Sequence, residues 1–280
     1  MSLRINTNVS AMDSYRALST NQNNLADAMQ KLSSGLRINK AADDASGLAI
    51  SQGLTSQING LTQAVSNAND GVNVAQIADG ALGTEQTILQ RMNTLAVQAA
   101  NGTQDTASLG AIQSEITALN TQLDNIASTT SFGGKKLLNG SNGTITFQVG
   151  ATSSSSDQVQ LTLTAGSITG AANSSGLGTN GLSVTGAGQA TSAINTIASA
   201  LAAVSSLRAG IGATQNQLNY TVDNLQTTIQ NVTASRSNIT DADLATEVTS
   251  MTQAQILTSA ATSMLAQANS APQSILKLLQ

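Results

Sequence analysis

The sequence predicts a mainly α protein: a long antiparallel coiled-coil-like helical bundle with a small β-hairpin insertion. Three observations carry this. Apolar residues recur at alternating spacings of three and four along most of the 280 residues. That periodicity stops near Asn139, and from Ser141 to Ala190 the only charged residue is Asp157, amid frequent Gly, Ser and Thr. A strict seven-residue repeat then returns and must lie back along the earlier helices.

The first helix carries Leu18, Leu25, Met29, Leu32 and Leu36 in one register, broken only by Gln22. After a turn-like stretch at Ala41 to Ser46, a second series runs through Ile50, Leu54, Ile58, Leu61, Val65, Ala68, Val72, Ala75 and Leu82. It continues, after a phase shift, through Ile88, Met92, Leu95 and Ala99. The spacing predicts a helix of about 50 residues, roughly 75 Å long. Asn101-Gly102 is its stop, with the Gly suited to a left-handed cap. A shorter helix carries Ile112, Ile116, Leu119, Leu123 and Ile126.

Ile145, Phe147 and Val149 then alternate with polar residues, as do Val159, Leu161 and Leu163, with Ala151 to Asp157 as the polar connection. This predicts a β-hairpin, followed by irregular structure. The return helix holds Ile194, Ile197, Leu201, Val204, Ile211, Leu218, Val222, Leu225, Ile229 and Val232, with Arg208 and Gln215 filling the register. Thr240 followed by Asp243 fits a capping box that restarts a last helix. Its stripe is Leu244, Val248, Met251, Ala254, Leu257, Ala261, Met264, Ala268, Ile275 and Leu278, with a short slip from Met251 to Leu257. The two end stripes stabilise a helix only when something covers them. The ends are therefore expected to be largely disordered alone and completed by neighbours.

Composition narrows the chemistry. With aromatics at 1%, the core must be aliphatic; Tyr15, Phe132, Phe147 and Tyr220 are the whole aromatic set. There is no Cys and no His, which removes thiol nucleophiles, disulfides, imidazole bases and the usual zinc or copper sites. No metal and no cofactor is expected. A net charge of −4 with 9% charged residues offers no basic face for nucleic acid. Met1 to Ser10 lack the cationic start and apolar core of a secretory signal, and no stretch approaches 18 uninterrupted apolar residues, so no membrane span is expected.

Enzyme readings fail on their parts. Ser274 and Lys277 satisfy a Ser-x-x-Lys pattern at the chain end, without the companion motifs of such hydrolases. Gly133-Gly134-Lys135-Lys136 lacks the first Gly and the Ser or Thr of a phosphate loop and reads as a turn. Thr152, Ser153, Ser154, Ser155 and Ser156 are candidate acceptors of O-linked sugars, with a plain flexible turn as the other reading. Asn-x-Ser/Thr triplets, as at Asn8, Asn101, Asn142 and Asn173, arise by chance in a chain so rich in these residues.

Several long motifs, in order, resemble those of bacterial flagellin, the flagellar filament subunit. They are Met1-Ser2-Leu3-Arg4-Ile5-Asn6-Thr7-Asn8, Leu32-Ser33-Ser34-Gly35-Leu36-Arg37-Ile38-Asn39, Ala41-Ala42-Asp43-Asp44-Ala45-Ser46-Gly47-Leu48 and Leu95-Ala96-Val97-Gln98-Ala99-Ala100-Asn101-Gly102. Ser235-Arg236-Ser237-Asn238-Ile239, Ala254-Gln255-Ile256-Leu257 and Leu265-Ala266-Gln267-Ala268-Asn269 agree as well. The resemblance spans about residues 1–150 and 187–280. It implies an inner coiled-coil domain from 1–44 and 236–280, an outer helical bundle from 45–140 and 187–235, and a short β-hairpin or variable insertion at 141–186.

The implied function is a non-enzymatic structural subunit that polymerises for motility, exported unfolded by the type III route and folded at the filament tip. Its self-assembly residues would be Leu18, Leu25, Met29, Leu32, Leu36, Leu244, Val248, Met251, Leu257 and Met264. The implied partners are further copies of itself, an export chaperone, and filament cap and junction proteins, with the extracellular flagellum as the location. Arg91, Leu95 and Glu115 match positions through which many flagellins meet the vertebrate Toll-like flagellin receptor; helix surface or packing is the other reading. The hook–filament junction protein, with similar ends, is the alternative within the class, and a secreted enzyme or binding module on a helical rod is the alternative outside it.

Overall fold

A computed structural model describes residues 7–140, 143–163 and 174–278, with side chains described to residue 271. The opening motif up to Asn6, and the side chains of Ser274, Ile275, Lys277 and Leu278, lie outside the described residues. The described elements, in order, are α1 (Val9–Ser34), α2 (Ala45–Ala100), α3 (Thr106–Thr129), β1 (Ser131–Phe132), β2 (Lys135–Lys136), β3 (Thr144–Gln148), β4 (Gln158–Thr162), α4 (Ala187–Thr240) and α5 (Leu244–Leu278). Mainly helical with small antiparallel strand pairs, this is the predicted fold class. The chain divides into two compact units, Met1–Ile58 with Gln230–Gln280, and Asn59–Ile229.

Local chemistry sets the helix ends. The Asn8 side chain accepts the Ala11 N–H at 3.0 Å and opens α1. Gly35, in the left-handed region at φ 71°, closes α1 by donating its N–H to the Lys31 carbonyl at 2.8 Å. At the end of α2 the expected left-handed cap does not form, because Gly102 has no positive φ. A tight turn serves instead, with Asn101 N–H on the Gln98 carbonyl and Gln104 N–H on that of Asn101. The capping box is also corrected. Thr240 is the last residue of α4, its hydroxyl donating to the Arg236 carbonyl, and Asp243 itself caps α5 by accepting the Ala245 N–H at 3.0 Å.

The second unit holds the core. Its buried stripe on α2 includes Leu61, Ala64, Ala68, Ala75, Ala78, Leu82, Glu85, Leu89, Met92, Ala96 and Ala99. With Gly71 also buried, the stripe keeps alternating steps of three and four without interruption. The phase shift expected after Leu82 is therefore absent; Glu85 occupies the slot that apolar counting had skipped. On α4 the buried positions include Ala193, Ile197, Ala200, Val204, Leu207 and Ile211. Arg208, expected in that register, lies at its edge, where it donates to Asp79 at 2.7 Å and to Gln86 at 2.7 Å. Together with the packing of Leu225 against Leu61 and of Leu218 against Ala68, this runs α4 antiparallel to α2. Ile116 and Leu123 of α3 complete the same core.

A Cβ on Gly71 would lie 3.0 Å from Leu218 and 3.2 Å from Phe147, so the missing side chain lets α2, α4 and β3 close together. One 18-residue window of α4 reaches a mean hydropathy of 1.3, apolar enough to cross a membrane by composition. The apolarity of α4 has a structural use, since Ala190, Ile197 and Val204 are buried in this core.

The predicted hairpin is present, with Ile145 opposite Leu161 and Phe147 opposite Val159. Its connection is ordered: Asp157 accepts the Thr152 N–H at 3.1 Å and the Thr152 hydroxyl, while the Ser154 and Ser156 hydroxyls bond each other at 2.8 Å. The turn read at Gly133-Gly134 joins a second pair, Ser131 opposite Lys136 and Phe132 opposite Lys135, with both glycines at positive φ as a two-residue hairpin loop requires.

Polar residues on α3 clamp the segment after the hairpin. Asp124 accepts the Ser174 N–H and hydroxyl, each at 2.9 Å, and Asn120 donates to the Thr179 carbonyl at 2.9 Å. Gln113 donates to Leu182 O and accepts from Val184 N–H, both at 2.8 Å.

Candidate self-assembly surface

The first unit is built on α1 and α5, which pack antiparallel. Asn8 Nδ2 donates to the Ala268 carbonyl at 2.7 Å near one end. Lys31 meets Glu247 at 3.5 Å near the other. Beyond that, Arg37 N–H bonds Thr240 O at 2.7 Å, Ala242 N–H bonds Gly35 O at 3.0 Å, and Arg37 Nη2 reaches Ile239 O at 2.6 Å. Along one face, therefore, the two ends partner each other.

That face does not coincide with the apolar stripes. The shielded positions on α1 include Leu18, Asn21, Leu25, Ala28 and Leu32; those on α5 are Glu247, Met251, Ala254, Thr258, Ala261, Leu265 and Ala268. On α5 they keep a regular alternation of four and three, without the slip expected between Met251 and Leu257. Ala254, Ala261 and Ala268 of the predicted stripe lie on this face, and Glu247 and Thr258 are the polar places that apolar counting could not see. Ala28, Ala254 and Ala261 are the buried ones, small enough to let the helices approach.

Six other stripe residues among the described ones are uncovered. Met29 is 50% exposed, Leu36 36%, Leu244 55%, Val248 46%, Leu257 43% and Met264 64%. Ile256 joins Val248 and Leu257 in lining a shallow groove with Thr252. Val9 and Met12 are also exposed on α1, in a phase outside the predicted stripe, and so is Tyr15, which continues the seven-residue register of Gln22, Met29 and Leu36. So the ten predicted self-assembly residues divide: Leu18, Leu25, Leu32 and Met251 are half-buried, and the other six stay bare. Bare large aliphatic residues in this number make this the candidate interaction surface.

Carboxylates fix the link from α1 to α2. Backbone N–H groups of Asn39 and Lys40, each 3.0 Å away, hold the Asp43 carboxyl below its ordinary range. The Gly47 N–H, at 2.9 Å, does the same for Asp44, which opens α2. A Cβ on Gly47 would come within 3 Å of the Asp44 and Ile38 side chains, so a larger residue in this tight corner would have to displace them.

The other predicted site lies in the second unit. Arg91 is exposed and Glu115 half-buried, and the two are joined, Nη2 to Oε1 at 2.7 Å. Leu95 is 2% exposed and belongs to the core. Packing is its role in the folded bundle.

Two protein-family descriptions match this chain: the bacterial flagellin N-terminal helical region at residues 5–143 and the bacterial flagellin C-terminal helical region at residues 194–279. Flagellin B of Vibrio cholerae is 53% identical over 153 residues, which is 55% of this chain and 41% of that protein. Polar flagellin A of Vibrio parahaemolyticus gives the same identity over the same shares. The chain thus spans about two fifths of the length of these curated relatives. The crystal structure of Bacillus cereus flagellin is 27% identical, with a TM-score of 0.49 over 57% of this chain and 88% of that one.

Proposed function

This chain belongs to the bacterial flagellin family, and we propose from that premise that it is a structural subunit which polymerises head to tail into the flagellar filament. The observation that carries the proposal is the doubled character of α1 and α5. One face of each is used within the subunit, while Leu244, Val248, Leu257 and Met264 are left in water. A head-to-tail contact that does not close on itself generates an open helix from one kind of subunit. Burial of these bare residues supplies the driving force, so the function needs no bond chemistry.

Export fits the same reading. The subunit passes unfolded through the flagellum's own type III route, and its ends gain their last partners at the filament tip, outside the cell. An export chaperone covering α5 and cap and junction proteins at the filament ends are its further partners. Residues 1–44 with 236–280 serve as the inner tube, 45–140 with 187–235 as the outer bundle, and 141–186 as a small outer rim. Seeded growth followed by electron microscopy tests this function: long filaments are expected, whereas short terminal additions that never elongate would identify a hook–filament junction protein instead.

The Arg91–Glu115 pair is the exposed polar element of the proposed Toll-like receptor contact. Arg91→Ala removes an exposed ion pair of small intrinsic worth, about 0–1 kcal/mol, so the bundle should keep its stability while receptor affinity falls. Unchanged affinity in a direct binding assay would remove Arg91 from the contact.

A further inference from the structure

Glu85 is fully buried at a core position of α2, one step from Leu82 and one from Leu89, and neither of its carboxylate oxygens has a hydrogen-bond partner among the described residues. An ionised carboxylate in such a place would lack both water and a counter-charge, the costliest condition for a charged group. The charged groups on the elements sharing this core are committed elsewhere. On α4, Arg208 is held by Asp79 and Gln86. On α3, Glu115 is paired with Arg91, and Asp124 holds Ser174. Asp157 is tied into its own hairpin turn, and Lys135 and Lys136 are exposed.

We propose that the second unit folds with uptake of a proton by Glu85, so that its stability falls as the medium becomes alkaline. The carboxyl is neutral in the core and ionised in the unfolded chain at neutral pH. Burial, its sole cause, pushes the Glu85 carboxyl from 4.5 up to about 8. The sign follows from linkage: a group whose folded value is raised gives its full stability below the unfolded value and loses it as pH rises towards the folded one. The window is therefore pH 4.5 to about 8. Asp105, held low by Ser108 at the start of α3, acts in the opposite direction and only as pH falls through and below its unfolded value of 3.8. Most acid-labile domains lose stability on acidification, and this unit gains it across the window.

The test is denaturant unfolding of the full chain, kept monomeric, at steps from pH 5 to pH 8. The unfolding constant is expected to rise by close to tenfold per pH unit in the middle of this range, the slope of one proton. Glu85→Gln should flatten that slope, and Glu85→Leu, which also removes the unpartnered polar atoms, should flatten it and unfold less readily than the parent at pH 8. A parent constant that is level or falls from pH 5 to pH 8, or a slope that survives in Glu85→Leu, would overturn the proposal. Filament growth plays no part in the readout, so the proton-uptake proposal and the polymerisation proposal can fail separately.

Discussion

Leu257→Asp combined with Met264→Asp should leave the subunit folded and stop it growing into filaments. Both side chains stand in water within the subunit, 43% and 64% exposed, away from the shielded face that holds Met251, Ala254, Thr258 and Ala261. Neither forms part of a core cluster. Far-UV circular dichroism and the unfolding midpoint should therefore stay close to those of the parent. Assembly is different, because there each apolar side chain is covered. Fully burying a leucine or methionine contributes about 1.5–3 kcal/mol, so losing two removes about 3–6 kcal/mol from subunit addition. At 1.4 kcal/mol per tenfold, the concentration needed for growth rises by roughly two to four orders of magnitude. The two carboxylates raise it further, since an unpaired charge in an interface must shed its water. Growth at the parent's concentration would mean that these residues are not a subunit contact.

How much of this was legible in the sequence depends on what each side chain weighs in an apolar count. The long helices were legible because Leu, Ile and Val mark their cores. The hairpin was legible because Ile145, Phe147, Val159 and Leu161 alternate. What escaped were core places filled by residues that such counting ignores. Gly71, Ala78, Glu85 and Ala96 belong to the unbroken stripe of α2, yet Glu85 reads as polar and the glycine as neutral, so an apolar count slips register at that point. Arg208 and Leu207 exchanged roles for a related reason. A register that alternates three and four back from Ile211 falls on 208 and 204, but Leu207 is the residue buried, and Arg208 at the edge meets Asp79.

The candidate surface was legible in composition and less so in geometry. The stripes on α1 and α5 mixed residues of two faces. Leu18, Leu25 and Met251 are shielded where the two helices pack, while Met29, Leu244 and Val248 are bare. Only the burial pattern separates them, because alanines and polar residues such as Thr258 complete the covered face. The clamp made by Gln113, Asn120 and Asp124 on residues 174 to 184 left no apolar signature either. Its spacing of seven and four along α3 places three hydrogen-bonding side chains on one face, and that spacing is the signal that could have found it.

The central claim is that both chain ends together are the polymerisation element, and removing one of them tests it. Deleting Leu244 to Gln280 takes away α5 and leaves α1 without the face that covers Leu18, Leu25, Ala28 and Leu32. Among the described residues the three apolar core clusters are untouched, since every buried member lies between Leu61 and Leu225. The truncated chain should stay soluble and keep the helices of its second unit. Helix should be lost over the 35 residues of α5 and over the 26 of α1 that α5 supported. Incubated with filament seeds and viewed by electron microscopy, it should add no length to them; filaments of normal length from this truncation would contradict the account.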